Sequence, residues 1–543
     1  MSQQSEFHAS EFHPSEPHPK LFEPTTLLLI VVLSVFGAII GLQLLTTLGV
    51  TPNTSMIGAL VAIALARIPL GLFQRYRSIH VQNLAQSAIS AATFGAANSL
   101  LLPIGIPFVL GRADLILPMF AGVACAMLLD GFLLYRMFGS NVFPADGAWP
   151  PGVAAAEAIR AGDEGGRKAA ILGLGIGVGA AGAWFGVPMS AFGIAFIGNV
   201  WALVMFGLGL LLRGYSKVLF SGEMFHSILP GADLNAALVP HGFMIGAGLM
   251  ALIQVGIVII RRDATADANV VRTGGVGRTL GLGFAAYLCI AVGIALVGGL
   301  ASDLSPTLLC AFVIYAAFAA FIHELLVGLA AMHSGWFPAF AIALITLLVG
   351  TLIGFPVPAL TLLVGFSAAT GPAFADMGYD LKAGFMLRAG QGAAFEADGR
   401  RQQLYAAMAA FVVAIVVVGL TWQGYFAQNL IPPVDKVYAA TIKAGITGPA
   451  ATSMMLWALP GALLQLLGGQ KRQLGVLFAT GLLIAAPLAG WAVLLGIVLR
   501  QIWLAARGTD GRTVMEVFAG GVIAGDALFS FFNSIAANLS RRG

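Results

Sequence analysis

Charged residues are scarce in this chain. Of its 543 residues, 28 are Lys or Arg and 24 are Asp or Glu, which makes only 10% of the chain charged. Soluble globular domains carry about 25% charged residues. The scarcity therefore excludes a soluble globular protein of this length. It also excludes an intrinsically disordered chain, because disorder goes with many charged and few apolar residues.

Cysteine is rare, and the sequence signatures of common enzymes are missing. Cys125, Cys289 and Cys310 lie inside apolar runs, so we expect them to pack as small hydrophobic residues without a disulfide framework. The chain has no Walker loop, no Gly-x-Ser-x-Gly elbow and no His-Glu-x-x-His motif. We therefore predict no enzymatic activity, no cofactor and no metal site. The net charge of +4 is modest, and the positively charged residues lie in short loops between apolar runs. This pattern is typical of residues that orient membrane spans, and it does not indicate a nucleic-acid partner.

Apolar residues, in contrast, make up 59% of the chain. They form long continuous runs such as 26–49 and 404–420, whereas a membrane barrel would show short alternating strands. At about 20 residues per crossing, this predicts an all-α polytopic membrane protein with roughly 14–16 transmembrane helices. We expect it as a multi-pass protein of the cell (cytoplasmic or inner) membrane, with internal inverted repeats. The expected spans are 25–50, 55–73, 80–102, 114–138, 168–187, 190–212, 236–260, 278–299, 306–331, 336–354, 356–371, 404–420, 446–468, 474–503 and 514–537.

The organisation predicted from this pattern is a tail over residues 1–24 and one transmembrane domain over 25–540. The tail repeats a Ser-Glu-x-His unit every five residues. Its Pro- and Ser-rich composition favours a disordered cytoplasmic segment. The alternative is a His- and Glu-containing tail that collects metal ions.

Several segments interrupt the apolar pattern with polar residues, Pro or Gly. We interpret 149–157, 217–235 and 370–384 as broken or re-entrant segments that line a cavity near the middle of the membrane. The long run 474–503 is expected to break near Pro487. The 69 glycines, with spacings such as Gly173/Gly177 and Gly175/Gly179, are typical of closely packed membrane helices.

An amide-rich helix face and a Pro-Gly helix start are the candidate substrate contacts. Gln82 and Gln86 are spaced to share a helix face, and Asn83 lies beside them. The alternative for these amides is hydrogen bonding between helices. Trp149, Gly152 and Glu157 follow a second pattern, in which a helix N-terminus enters the membrane and holds a carboxylate. The alternative is an interfacial loop with a Trp anchor.

Ionisable residues in two apolar stretches are the candidate proton-coupling groups. Asp376 and Asp380 are spaced to share one helix face, and either Lys382 or an arginine is expected to offset the repulsion between them. Tyr379, between them, is a further candidate substrate contact. His323 and Glu324, in mid-span, suggest a proton relay. The alternatives are a polar helix end at the membrane surface and a pair satisfied by neighbouring helices.

Three of these stretches resemble motifs of the oligopeptide transporter (OPT) family, which includes the yellow stripe-like metal-chelate carriers. The resemblance runs from about residue 55 to 537, and its most specific motif is Ala-Asp-x-x-x-Asp-Leu-Lys-x-Gly. The chain departs from the family at Val81 and Gln82, where many members carry a glutamate. The resemblance is carried by Asn83, Gln86, Ser87 and Ala91; by Pro150, Gly152, Ala154, Ala156 and Glu157; by Ala375, Asp376, Asp380, Leu381, Lys382 and Gly384; and by 521–526.

The resemblance implies secondary active uptake of a small-molecule substrate, coupled to protons, across the lipid bilayer. Small oligopeptides are the first expectation for the substrate. The absence of the signatures of the eukaryotic peptide branch favours a prokaryotic or yellow stripe-like branch, so metal–chelate complexes stay open. A passive channel and an intramembrane enzyme are the competing classes, and the sequence leaves a homo-oligomer open.

Overall fold

The computed structural model describes residues 17–48, 59, 63, 68, 76–222, 230–261, 275–335, 339–445, 448–508 and 511–542. Within these ranges the regular elements are helices, and the only β-type pairing is an isolated bridge between Phe138 and Phe143. The predicted all-α fold is therefore confirmed. The cause is the composition: in an apolar surrounding, a helix satisfies its backbone hydrogen bonds within itself.

The first half of the chain contains helices of very different length. Helix α2 includes a π-helical turn at Gly95–Leu101, and a single 3₁₀ turn, Ala113–Leu115, precedes α3. The bounds are α1 Pro24–Leu48, α2 Ile79–Val109, α3 Ile116–Met137, α4 Pro150–Glu164, α5 Gly166–Trp184, α6 Met189–Ala195, α7 Val200–Gly214 and α8 Val239–Arg261.

The second half is similar, and one of its helices is kinked at Gly469. The bounds are α9 Val276–Val297, α10 Pro306–Ser334, α11 Ala339–Ile353, α12 Val357–Ala369, α13 Pro372–Leu387, α14 Ala393–Ala427, α15 Pro433–Ala444, α16 Gly448–Arg472, α17 Leu474–Leu483, α18 Pro487–Arg507 and α19 Gly511–Arg542.

Nine helical stretches in the described ranges are long and apolar enough to cross a membrane, and four further apolar helices are shorter. In two of the nine, Ile79–Val109 and Val357–Leu387, 94% and 89% of an 18-residue apolar stretch is buried inside the protein, whereas in Val276–Val297 only 28% of such a stretch is buried. The first two therefore form the centre of the bundle, and α9 lies at its edge. Exposed apolar side chains, among them Leu282 on α9 and Leu174 on α5, suit contact with lipid. The predicted total of 14–16 spans and the inverted repeats stay predictions.

Three helix breaks fall where the sequence predicts them. Trp149 adopts a left-handed conformation (φ 37°) immediately before α4. Thr370 and Gly371 separate α12 from α13, and Gly371 has φ 98°, a value that favours glycine. Residues 484–486 separate α17 from α18 just before Pro487. For 217–235, only the flanks of the predicted re-entrant segment are described, because 223–229 lie outside the described residues.

Only one of the two glycine pairs in α5 packs against another helix. A Cβ atom added to Gly175 or Gly179 would contact backbone atoms of α19, whereas none lies within 4 Å of a Cβ added to Gly173 or Gly177. The prediction of close packing is thus confirmed for Gly175/Gly179 and wrong for Gly173/Gly177. The reason is that α5 turns only one face toward the bundle, which puts the other pair on its outer side.

The cysteines and the tail differ from expectation in part. Cys125, Cys289 and Cys310 are free, but they are exposed rather than packed inside, because their helices turn those positions away from the bundle. Residues 1–16 of the tail lie outside the described residues. So does the predicted span 55–73, apart from single positions. Residues 17–23 pack against the bundle: Leu21 is fully buried, and its N–H donates to Gln402 Oε1 at 2.9 Å.

Candidate functional site

Helix α13 lies at the centre of the bundle and joins the three motif segments. One face packs on α2 and another on α4, and its N-terminus lies beside α3 and α10. Its residues Pro372–Gly384 are buried. The predicted site residues of this segment are therefore brought to one place, and the alternative of a polar helix end at the membrane surface is excluded for Asp376 and Asp380, both 0% exposed.

The two aspartates of α13 meet the amide face of α2. Gln86 Nε2 donates to Asp380 Oδ1 at 2.5 Å, and Ser90 Oγ donates to Asp376 Oδ1. Asn83 Nδ2 donates to Gln86 Oε1 at 3.1 Å, which orients the Gln86 amide toward the carboxylate. The predicted spacing on both helices thus produces one continuous polar contact in an apolar bundle.

Neither aspartate is neutralised by a cation in the described part of the chain. The second oxygen of each carboxyl, Oδ2, has no hydrogen-bond partner there. Lys382 Nζ instead donates to the Ala145 carbonyl at 2.9 Å. The prediction that Lys382 offsets the two aspartates is therefore wrong. The physical reason is its position on the helix: Lys382 points to the opposite side of α13, toward the segment before α4.

A second set of polar groups, which sequence reasoning does not single out, connects α14 with Asp380. Gln403 Nε2 donates to the backbone carbonyl of Asp380 at 2.7 Å and to Ser87 Oγ at 3.2 Å. Arg388 Nη1 donates to Gln403 Oε1 at 2.8 Å and pairs with Glu396 through Nε at 2.7 Å. The chain of bonds connects a buried ion pair to the aspartate site.

The contact of α4 with α13 holds three of the predicted substrate residues. A Cβ added to Gly152 would collide with the Tyr379 carbonyl and lie 2.9 Å from Lys382 Cβ, so glycine allows the two helices to touch. The Trp149 ring lies edge-on to Tyr379 with 5.9 Å between centroids. Trp149 is fully buried, which excludes an interfacial anchor, and its Nε1 has no hydrogen-bond partner among the described residues.

Two predicted substrate residues face other groups. Gln82 Nε2 donates to the Tyr76 carbonyl at 3.0 Å, so this amide closes the turn before α2 and does not reach the aspartates. Glu157 Oε1 accepts from Arg160 Nη1 at 3.0 Å, and Arg160 also donates to the Met386 carbonyl at the end of α13. Glu157 is 2% exposed, and its Oε2 is unpartnered in the described residues.

His323 and Glu324 bond to different helices and not to each other, which is the alternative of two side chains satisfied by neighbouring helices, and their role in a proton relay stays a prediction. His323 Nε2 lies 2.8 Å from the Ala339 carbonyl, and Nδ1 lies 3.2 Å from Thr370 Oγ1. Glu324 Oε2 instead lies 2.5 Å from Tyr287 Oη. Neighbours in a helix point about 100° apart, and here that angle sends the two side chains to different helices.

Glu324 belongs to a second buried cluster, with Asp130 and Tyr287. Tyr287 Oη bridges the two carboxyls, contacting Asp130 Oδ1 as well as Glu324. Asp130 Oδ2 accepts from the Gly371 N–H at 2.9 Å, at the start of α13. Asp130 carried a sequence signal, since it is an acidic residue in an apolar span. Tyr287 carried none, because a tyrosine in a membrane helix is usual.

The described residues contain no group of three His, Cys, Asp or Glu side chains that could hold a metal ion. The groups that meet where α2 packs on α13 are carboxyls, amides and hydroxyls. These groups bind ammonium groups, peptide amides and protons.

A bundle of apolar helices that encloses carboxyls and amides, with no solvent exposure at Asp376 and Asp380, defines a polytopic membrane protein with an internal polar site. The chain belongs to the oligopeptide transporter family: the family described as OPT oligopeptide transporter protein matches residues 25–262 and 263–537. No curated protein matches the chain. The resemblance inferred from the motifs is confirmed, and the chain is a transporter of the multi-pass membrane class.

Proposed function

We propose that this protein is a proton-coupled symporter that takes up small oligopeptides across the cytoplasmic membrane. One observation carries the proposal: Asp376 and Asp380 lie one turn apart on α13, are fully buried, and each keep one carboxyl oxygen without a partner in the described residues. Unpaired buried carboxyls are costly. A membrane protein retains such groups where a substrate or proton uses them.

The surroundings of these carboxyls support a cationic or amide-containing substrate. The ammonium group of a peptide can pair with Asp376 or Asp380 when it displaces the bonds from Ser90 and Gln86. The Gln86 and Asn83 amides supply the donors and acceptors that peptide bonds need. The contact of α4 with α13, formed by Gly152, Trp149 and Tyr379, lies on the face of α13 that points away from α2. We propose that this contact rearranges when the site opens.

The energetics suit coupling to protons. One proton moving down a membrane potential releases about 2.3 kcal/mol per 100 mV. Because a factor of ten in concentration corresponds to about 1.4 kcal/mol, this supports about 50-fold accumulation of a neutral substrate. The closed packing of the aspartates, both 0% exposed, suits the occluded stage of an alternating-access cycle.

The test is an uptake screen with the purified protein in proteoliposomes. The panel contains di- to tetrapeptides and metal–amino-acid chelates, each with and without an inward proton gradient. We expect saturable peptide uptake that the gradient drives. Gradient-driven uptake of chelates alone would replace the peptide assignment with the yellow stripe-like one, and ionic current without substrate-coupled proton movement would overturn the carrier in favour of a channel.

A further inference from the structure

The cluster of Asp130, Tyr287 and Glu324 has too few hydrogens for its oxygens unless one carboxyl is protonated. Tyr287 Oη lies at hydrogen-bond distance from Asp130 Oδ1 and from Glu324 Oε2, but a phenol has a single hydrogen. Only one of these two contacts can be donated by the tyrosine. The other needs a hydrogen on a carboxyl oxygen, since two acceptors do not bond to each other.

The surroundings indicate which carboxyl holds that hydrogen. Asp130 receives the Gly371 N–H at 2.9 Å at the N-terminus of α13, where the helix dipole favours a negative charge. Glu324 has only the tyrosine, and its Oε1 has no partner among the described residues. Glu324 is 0% exposed, and an unsatisfied carboxylate in such a place costs far more than a neutral acid.

We infer that Glu324 holds a bound proton and donates it in a chain of hydrogen bonds from Glu324 to Tyr287 to the Asp130 carboxylate, which ends at the Gly371 N–H. This is a proton-binding site separate from the aspartates of α13. That this site takes part in proton coupling alongside Asp376 and Asp380 rests on the proposed function, whereas the bound proton itself does not.

The position of the site explains how proton occupancy reaches the substrate site. Gly371 is the residue directly before α13, and Asp376 lies little more than one turn into that helix. If the proton leaves Glu324, two buried carboxylates share one phenol hydrogen, and their repulsion acts on the helix start that Asp130 holds. Proton release and movement of α13 are thereby linked.

Infrared spectroscopy of the purified protein tests the proton without any substrate, because a carboxylic acid and a carboxylate absorb at different wavenumbers. At mildly alkaline pH, where exposed carboxyls are ionised, we expect Glu324→Gln to remove one carboxylic-acid band. Asp130→Asn should keep that band. Tyr287→Phe should shift it to higher wavenumber, because the acid loses its acceptor.

Each variant has a result that would overturn the inference. These results are an unchanged acid band in Glu324→Gln, loss of a band in Asp130→Asn, or no shift in Tyr287→Phe. Gel filtration and thermal unfolding of each variant show whether it is folded, and Tyr287→Phe keeps the test decisive if Glu324→Gln does not fold. Since no uptake is measured, a negative uptake screen with a positive infrared result would refute the proposed function and leave the proton site standing.

Discussion

Gln86 donates a hydrogen bond of 2.5 Å to Asp380, although 294 residues separate the two in the chain. The bond connects the two most buried spans of the bundle, Ile79–Val109 and Val357–Leu387. It also ties the amide face of α2 to the acidic face of α13. Helix α2 supplies hydrogen-bond donors and α13 supplies carboxylate acceptors. Without the other face, each polar face would be buried in an apolar bundle with unsatisfied groups.

Replacing Asp380 with Asn should abolish accumulation driven by a proton gradient. The Asn amide keeps an oxygen in place for Gln86 but cannot take up or release a proton. We expect the internal-to-external substrate ratio to fall from about 50 to about 1 at 100 mV, with expression unchanged. The measurement is time-resolved uptake of a peptide from the screen in proteoliposomes.

The matched control for that variant is Asp163→Asn, which makes the same chemical change at an exposed position near the end of α4. It should accumulate substrate as the wild type does. Full accumulation by Asp380→Asn would contradict the role proposed for this aspartate.

The predictable part of this site is the part that depends on periodicity within one helix. The spacing of Asp376 and Asp380 put both on one face, and the structure places that face against α2. The partners from other segments were not predictable in the same way. Gln403 reaches Asp380 through the packing of α14, and such contacts depend on how helices associate, which local spacing does not specify.

The wrong expectation for Lys382 has a related cause. Sequence proximity places Lys382 beside the aspartates, yet its side chain points to Ala145 on the other side of α13. His323 and Glu324 are neighbours in sequence, but they contact different helices. Proximity in sequence indicates proximity in space only at spacings of three or four residues in a helix.

A methyl group on Gly152 should destabilise the protein. In Gly152→Ala the new Cβ would collide with the Tyr379 carbonyl, so α4 and α13 must move apart. Overpacking of this kind costs about 1–3 kcal/mol. We expect a lower midpoint of thermal unfolding, measured in detergent by the loss of monodisperse protein after heating.

Gly177→Ala is the control, because no atom of another described segment lies within 4 Å of a Cβ added there. Its unfolding midpoint should stay at the wild-type value or rise slightly, since alanine favours a helix more than glycine does. Equal midpoints for Gly152→Ala and Gly177→Ala would show that the contact of α4 with α13 is looser than described.

The buried ion pair between Arg388 and Glu396 should be sensitive to removal of either partner. The Arg388 side chain is 0% and the Glu396 side chain 9% exposed. Arg388→Met removes both hydrogen bonds to Glu396 and leaves only the nearby Arg400 to offset its buried charge. Breaking a buried pair costs about 3–5 kcal/mol. We expect a large fall in the unfolding midpoint, and a partial recovery when Glu396→Gln is added.

The control is Arg512→Met at the pair Arg512–Glu516, where the arginine side chain is 66% and the glutamate side chain 16% exposed. Ion pairs that are open to solvent contribute about 0–1 kcal/mol, so the midpoint should change far less than in Arg388→Met. If Arg388→Met and Arg512→Met had the same small effect, the buried pair would not hold α13 to α14.

The docked segment 17–23 should release from the bundle as the pH falls. The pKa of His18 is lowered from 6.5 to about 4, chiefly by burial and to a smaller degree by the nearby Arg388, whereas the hydrogen bond to the Pro19 carbonyl and the charge of Asp398 oppose this shift. Docking therefore keeps His18 neutral and releases its proton. Above the ordinary pKa of 6.5 docking has its full strength. It weakens as pH falls from 6.5 toward 4, because only the undocked histidine gains a proton there.

Hydrogen–deuterium exchange of residues 17–23, followed by mass spectrometry between neutral pH and about pH 4, measures this release. Exchange chemistry itself depends on pH, so the same peptide from His18→Gln supplies the reference. The ring of His18 lies 5.2 Å from that of His80 and 5.1 Å from that of Phe395, centroid to centroid. Glutamine removes the titration of His18 without adding charge to this contact, and His80 is kept in both proteins. We expect protection of the wild-type segment to fall with pH relative to the variant. A constant ratio between the two proteins would mean that His18 does not control docking.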